Sequence, residues 1–325
     1  MKKEIVVSIC CITYNHEKYI AETIESFLMQ KTNFNFEILI HDDASTDNTA
    51  AIIREYEKKY PEIVKPIYQK ENQYSQGKPV SQNNYNRAKG KYIAICEGDD
   101  YWTNPYKLQK QVDYMEKNKE CGGCFHAGEL INAITKKKVG EIKPFENDRI
   151  LTAKDTILGG GGFVITNSIL CKADLLKNLP TFYLNAPVGD YPLQILVSMN
   201  KYAFYMKNTM SVYRIGIPTS WTGSKKTKSE ILNHNLKIER MLLEINKYSN
   251  QKYEHEIKAK IKILDFYNLI IKNDIKNLKK RNYKEFYNKL SLKEKFKIHL
   301  EYYFPKIMEF LLKIYRKIRY IIRGY

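Results

Sequence analysis

Glu97-Gly98-Asp99-Asp100 closes the apolar run Tyr92-Ile93-Ala94-Ile95-Cys96. The run reads as a buried strand of a parallel sheet. Carboxylates crowded at the end of such a strand raise each other's pKa. A cation relieves the repulsion. Hard divalent ions favour carboxylate oxygens and often complete their shell with substrate phosphates. The cluster therefore points to a metal–diphosphate site, with a nucleotide bound by other parts of the chain.

Two more polar segments follow apolar runs. Ile5 to Ile12 reads as a strand and ends in Thr13-Tyr14-Asn15-His16, after which Tyr19, Ile20, Thr23, Ile24, Phe27 and Leu28 recur at helical spacing. Glu37 to Ile40 reads as a second strand and ends in His41-Asp42-Asp43-Ala44-Ser45-Thr46-Asp47-Asn48-Thr49. That segment offers N-caps to a helix over about 50–60. A further strand is expected near Val64 to Tyr68. Alternating strands and helices predict a parallel, doubly wound α/β sheet. Such sheets bind ligands beyond the carboxyl ends of their strands. The segments 13–16, 41–49 and 97–102 all fall there.

Further along, a helix is expected from after Pro105 to Lys117 and a strand over Cys121 to Phe125. Cys121-Gly-Gly-Cys124 with His126 lacks a second cysteine pair at zinc-finger spacing and reads as strand. Four glycines, 159–162, precede an apolar stretch, Phe163 to Leu170, that reads as another strand. The segment 181–192 reads as a loop, with a helix beginning at Leu193. From Ser229 onward the pattern is helical and Lys-rich. Gly, Ser and Lys cluster near 223–228, so the expected division is 1–224 and 225–325.

Four motifs in this order resemble the family 2 glycosyltransferases of the GT-A fold, of the inverting, bacterial surface-polysaccharide kind. They are Ser8-Ile9-Cys10-Cys11-Ile12-Thr13-Tyr14-Asn15, Asp42 through Thr49, Gly90-Lys91-Tyr92-Ile93-Ala94 leading to Glu97-Gly98-Asp99-Asp100, and Gly189-Asp190. The resemblance covers about residues 5 to 215. It implies a Rossmann-like, mainly parallel sheet flanked by helices, here with a basic helical C-terminal extension. It implies a nucleotide-sugar donor, a UDP-sugar by preference, a glycan or lipid-linked acceptor, and Mn2+ or Mg2+ as cofactor. Thr13, Tyr14 and Asn15 match the first nucleotide contacts; a strand-to-helix turn is the alternative. Asp42 and Asp43 match the base- and ribose-binding acidic pair; helix capping is the alternative. Asp99 matches a ribose or metal contact and Asp100 a metal ligand, whereas Glu97 stands where Asp is commoner. Asp190 matches the catalytic base that takes the proton of the attacking hydroxyl; an N-cap is the alternative. Trp102 is placed at the donor site, Trp221 at an acceptor loop, and Arg214 on a diphosphate oxygen. Core packing or a surface ion pair explains these three equally well.

The charge is unevenly spread. Of a net +18, the residues from Lys225 on supply 26 basic and 11 acidic side chains. A basic tail seeks an anionic surface. Ile307, Leu311, Ile314, Ile318 and Ile321 form one helical face among Lys306, Lys313, Arg316, Lys317, Arg319 and Arg323. This segment is too charged to span a bilayer and suits lying on an anionic one. Packing on its own domain or on a second copy, as a homo-oligomer, is the alternative. The six cysteines fall mostly in apolar runs, and Met-Lys-Lys-Glu leads straight into a strand without a signal peptide. The expected setting is the cytoplasm, peripheral at the inner face of the plasma membrane. A nucleic-acid-binding protein with a non-catalytic nucleotide domain is the other class that +18 suggests. No nucleic acid is expected, because the charge sits in the tail and the candidate site is acidic. A nicotinamide-dependent dehydrogenase is set aside, since no Gly-x-Gly-x-x-Gly follows the first strand.

Overall fold

The structure is a computed structural model that describes residues 4–217 and 226–307. The chain gathers into two compact units, Met1–Lys225 and Lys226–Tyr325.

The first unit is built from the expected alternation. β1 (Ile5–Thr13) leads to α1 (Ile20–Leu28), which buries Ile20, Thr23, Ile24 and Phe27 on one face. β2 (Asn35–Asp42), α2 (Thr49–Lys59), β3 (Val64–Tyr68), α3 (Ser81–Arg87) and β4 (Tyr92–Ile95) follow. β3, β2, β1 and β4 are neighbours in that order and all parallel. Apolar side chains cover both faces of β1 and β4, as strands sandwiched between helices require. Thr13 lies opposite Asp42, and Cys10 opposite Ile95. The register therefore brings the ends of β1, β2 and β4 together.

The rest of the sheet is mixed. It comprises β5 (Tyr101–Trp102), β6 (Cys121–Asn132), β7 (Lys138–Ile142), β8 (Arg149–Leu151), β9 (Leu170–Lys172) and β10 (Tyr202–Ile215). The full order is β3-β2-β1-β4-β9-β6-β10-β5, with β7 on β6 and β8 on β10. β9 enters antiparallel between β4 and β6, while β6 and β10 run parallel. The helices here are α4 (Lys107–Lys117), α5 (Ala153–Gly159), α6 (Asp174–Lys177), α7 (Thr181–Leu184) and α8 (Asp190–Met199).

Three local expectations are corrected. Phe163–Leu170 is not a strand: it makes a 3-10 turn at Thr166–Ser168, and pairing begins only at Leu170. The Asn167 side chain causes this, donating to Val212 O at 2.8 Å and to Asp100 Oδ2 at 3.0 Å in the interior. β6 does not stop at Phe125 but pairs with β10 through Asn132. α8 starts at Asp190 rather than Leu193. Pro192 is accommodated because first-turn N–H groups have no intrahelical acceptor.

The second unit is helical: α9 (Lys228–Tyr248), α10 (Glu254–Ile271), α11 (Ile275–Leu278), α12 (Lys284–Lys289) and α13 (Leu292–Tyr303). Capping boxes at Thr227/Glu230 and Ser291/Glu294 start α9 and α13. Phe266, Ile275, Leu278 and Ile298 form one of its buried clusters. Most of the expected amphipathic tail, from 308 on, lies outside the described residues. Among the described residues no helix is long and apolar enough to cross a membrane.

Candidate active site

The turns after β1 and β2 are tied to each other. Asn15 has φ 56°, a left-handed conformation that asparagine tolerates better than most residues. Its N–H donates to Ser45 Oγ at 2.9 Å, and its Oδ1 accepts from Thr46 N at 2.8 Å. Asp43 N donates to Thr13 O at 3.0 Å. Thr13 is buried, whereas Tyr14 keeps 38% of its surface exposed and leaves a ring open to solvent.

The two carboxylates after β2 have separate tasks. Asp42 is buried and accepts from Ser45 Oγ; burial pushes its pKa up. Asp43 accepts from the backbone N–H of Gln73 at 2.8 Å and of Tyr74 at 2.9 Å, one on each oxygen. It thereby holds the 72–76 turn against the end of β2.

Gly98 is required by the close approach of β1. A Cβ there would lie 2.5 Å from Thr13 Oγ1 and 3.1 Å from His16 Nδ1. The Asp99-Asp100 pair splits in direction. Asp99 retains 15% side-chain exposure, and His16 Nε2 stands 3.9 Å from its Oδ2. Burial lowers the pKa of that imidazole. Asp100 is fully buried; its Oδ1 accepts from Arg214 N at 2.9 Å and its Oδ2 from Asn167 Nδ2. Burial, then the charges of Asp99 and Glu97, raises the Asp100 pKa well above the carboxylate range. Both oxygens of Asp100, the expected metal ligand, thus each accept one hydrogen bond inside the protein.

Glu97 carries more weight than its departure from the family pattern suggested. Its Oε2 is sealed from solvent and has no hydrogen-bond partner. Burial foremost, then Asp99, raises its pKa to about 7, and Asp190 also contributes. The charges at the strand end and at the start of α8 thus both reach Glu97. Asp190 is the first residue of α8, and burial raises its pKa. Gly161 packs over it, with a Cβ position 3.5 Å from Asp190 Oδ2. The glycine loop is pinned to α8 by Gln194 Nε2, which donates to Gly161 O at 2.8 Å, and α5 before it by Tyr191 OH, which donates to Ile157 O.

Two suggested residues are not at a ligand surface. Trp102 is buried in the core, its ring tilted against Phe27, with its Nε1 donating to Asn167 O at 2.8 Å. Arg214 is buried between the rings of Tyr19 and Tyr101. It donates to Asp99 O and to the Glu22 carboxylate, so it holds the acidic turn from behind. Trp221 lies outside the described residues. His16, Glu22 and Asn167 escaped sequence reasoning; only the position of His16 beside Thr13-Tyr14-Asn15 was a usable signal.

Among the described residues no three carboxylate, imidazole or thiol groups gather around one point. A divalent cation here would take one or two protein carboxylates and draw its other ligands from a bound diphosphate, as Mg2+ commonly does. Asp99 and the unpartnered oxygen of Glu97 fit that pattern.

A model of the glycosyl transferase family 2 domain matches residues 8–172, just over half of the chain. An uncharacterised protein of Mycobacterium bovis is 36% identical over 211 residues, 64% of this chain and 58% of its own length. The chain thus spans less than two thirds of that relative. The Escherichia coli UDP-Glc:alpha-D-GlcNAc-diphosphoundecaprenol beta-1,3-glucosyltransferase WfaP is 38% identical over 115 residues, 35% of this chain and 43% of WfaP. Among solved structures, Staphylococcus aureus TarS 1–349 in complex with UDP-GlcNAc superposes with a TM-score of 0.59 at 18% identity, covering 90% of this chain and 78% of that one. That likeness is one of fold, and it is the GT-A fold expected from the motifs.

Proposed function

The chain belongs to glycosyl transferase family 2, and on that premise we propose that it moves a sugar from a nucleotide-sugar to a hydroxyl, inverting the anomeric carbon. The donor in this reading is a UDP-sugar and the acceptor a glycan or lipid-linked glycan of surface polysaccharide synthesis. Residues 1–224 are the catalytic domain and 225–325 a helical extension. The observation that carries the reading is that Asp99, at the end of β4, and Asp190, at the start of α8, both lie within electrostatic reach of the buried Glu97. The donor and acceptor that WfaP's name gives support the substrate classes.

Thr13, Tyr14, Asn15, Asp42 and Asp43 form the nucleotide end. Tyr14 offers a ring beside the base, Asp42 an acceptor for base or ribose, and Asp43 acts through the turn it holds. Asp99 faces the diphosphate; Asp100 fixes the turn that presents it. A divalent cation, Mn2+ or Mg2+, held at Asp99 would neutralise the departing nucleoside diphosphate. On the acceptor side, Asp190 takes the hydroxyl proton as the acceptor oxygen bonds to the anomeric carbon. The bond from that carbon to the diphosphate oxygen breaks, and its electron pair leaves with the nucleotide. Burial, by raising the Asp190 pKa, makes it a stronger base than an exposed aspartate. The Asp190→Asn variant should bind nucleoside diphosphate as the wild type does and lose transfer by about 10²–10⁴-fold. Undiminished transfer in that variant would refute the assignment of the base.

A further inference from the structure

The second unit presents a surface that the transfer chemistry does not use. α13 sets Leu292, Phe296 and Tyr303 along one side, and they are 85%, 68% and 60% exposed. Exposed Phe304 and Ile307 continue the patch. Another side of the same helix buries Ile298 against Phe266, Ile275 and Leu278. The helix is thus apolar on two sides and covered on one. Tyr303 is steadied by stacking on His299, which in turn bonds Tyr287 OH at 2.8 Å. The patch is rimmed with positive charge. Glu294 is engaged in capping Ser291, and Glu301 pairs with Lys228. Lys293, Lys297 and Lys306 are exposed and have no carboxylate partner among the described residues.

We propose that this face of α13 docks on an anionic lipid bilayer, with Leu292, Phe296 and Tyr303 at the headgroup boundary and the lysines on lipid phosphates. An exposed apolar stripe flanked by lysines is the pattern of a helix that lies in a membrane interface. Charge selects the occupant. A second copy would set the same lysines against one another. Residues 308–325 carry five basic side chains and one acidic, so they add to the positive charge rather than neutralise it. The inference deepens the transferase reading and rests on it only for its purpose, since a lipid-linked acceptor is met at such a surface.

Sedimentation of the full chain with vesicles tests this. Vesicles of equal phosphatidylglycerol and phosphatidylcholine should bind at least tenfold more tightly than phosphatidylcholine alone, and less tightly as salt rises. Leu292→Ser with Phe296→Ser should weaken that binding at least tenfold. Lys293→Gln with Lys297→Gln should weaken it by about fivefold per lysine. Both variants should keep wild-type affinity for nucleoside diphosphate, which shows the fold intact. Failure of the wild type to bind any nucleotide would strike the transferase reading and leave the vesicle result standing. Equal binding to neutral vesicles, or unchanged binding in both double variants, would overturn the proposal. A dimer in sedimentation equilibrium that Leu292→Ser with Phe296→Ser dissolves would also overturn it, by assigning the face to a second copy.

Discussion

Replacing Glu97 by glutamine should stabilise the ligand-free protein, and only above a defined pH. The side chain is held among carboxylates, with Oε2 sealed and unpartnered. Its pKa rises from 4.5 to about 7, through burial first, then Asp99 and Asp190. Each unit corresponds to about 1.4 kcal/mol, so the full shift amounts to at most about 3 kcal/mol. The folded state holds this proton more tightly than the unfolded state. Below the unfolded pKa both states are protonated, and the carboxyl contributes no penalty. Between 4.5 and about 7 the unfolded state ionises first and stability falls. Above about 7 both states are ionised and the whole penalty is present. Glutamine keeps the shape and never ionises. Urea unfolding of wild type and Glu97→Gln, in chelator and without nucleotide, should coincide near pH 4 and separate by up to about 3 kcal/mol by pH 9. In a unit of this size that is a difference of roughly 6–12 °C in melting temperature. The Asp190→Asn background should move the wild-type step to lower pH, because it removes one of the charges that raise it. Parallel profiles from pH 5 to 9, or a less stable glutamine variant at pH 8, would refute the placement of a strained, unpaired carboxyl.

Asp99→Asn should abolish the gain that manganese gives to nucleoside diphosphate binding; calorimetry showing the same gain in the variant would remove Asp99 from the metal reading. Gly98→Ala puts a methyl 2.5 Å from Thr13 Oγ1 and 2.6 Å from its Cβ. The expected cost is about 1–3 kcal/mol of stability, with weaker nucleotide binding, and a wild-type melting curve would show that the strand end yields instead.

The parts of the fold that could be read from the sequence are those with a strong local signal. β1 and β4 are largely apolar runs, β2 centres on the apolar Ile38-Leu39-Ile40, and α1 repeats its buried face at helical spacing. β10 was not read at all, although it is the longest strand described. Lys207-Asn208-Thr209 interrupts its apolar pattern, and its register shifts there against β6. The stretch 163–170 misled for the opposite reason. Its composition is that of a strand, but Asn167 turns inward to meet partners far away in sequence. Periodicity carries no record of such a partner. The same limit applies to the site. The acidic residues were legible as a group, because carboxylates at strand ends are costly. Which of them stays accessible was not. Asp99 and Asp100 are adjacent and identical in type; they differ only because Asn167 and Arg214 N bond one of them.

The acidic turn is fixed from several directions before any ligand arrives. Thr23 Oγ1 donates to the carbonyls of Gly98 and Asp100 at 3.0 and 2.6 Å. Arg214 holds Asp99 O, and Asn167 holds the Asp100 carboxylate. A site ordered in advance avoids the entropy cost of forming on binding. The arrangement also fixes where positive charge can come from. Arg214 lies between two tyrosine rings with its charge matched by Glu22. The charged groups that set the ionisation of Glu97 are carboxylates alone. Asp99 and Asp190 both bear electrostatically on the buried Glu97, and the Arg214 guanidinium is committed to Asp99 O and Glu22. A diphosphate would add its negative charge to that of these carboxylates. In the proposed transfer a cation bound with the donor would offset that repulsion, so the crowding that raises the Glu97 pKa is the physical argument for the metal dependence proposed above.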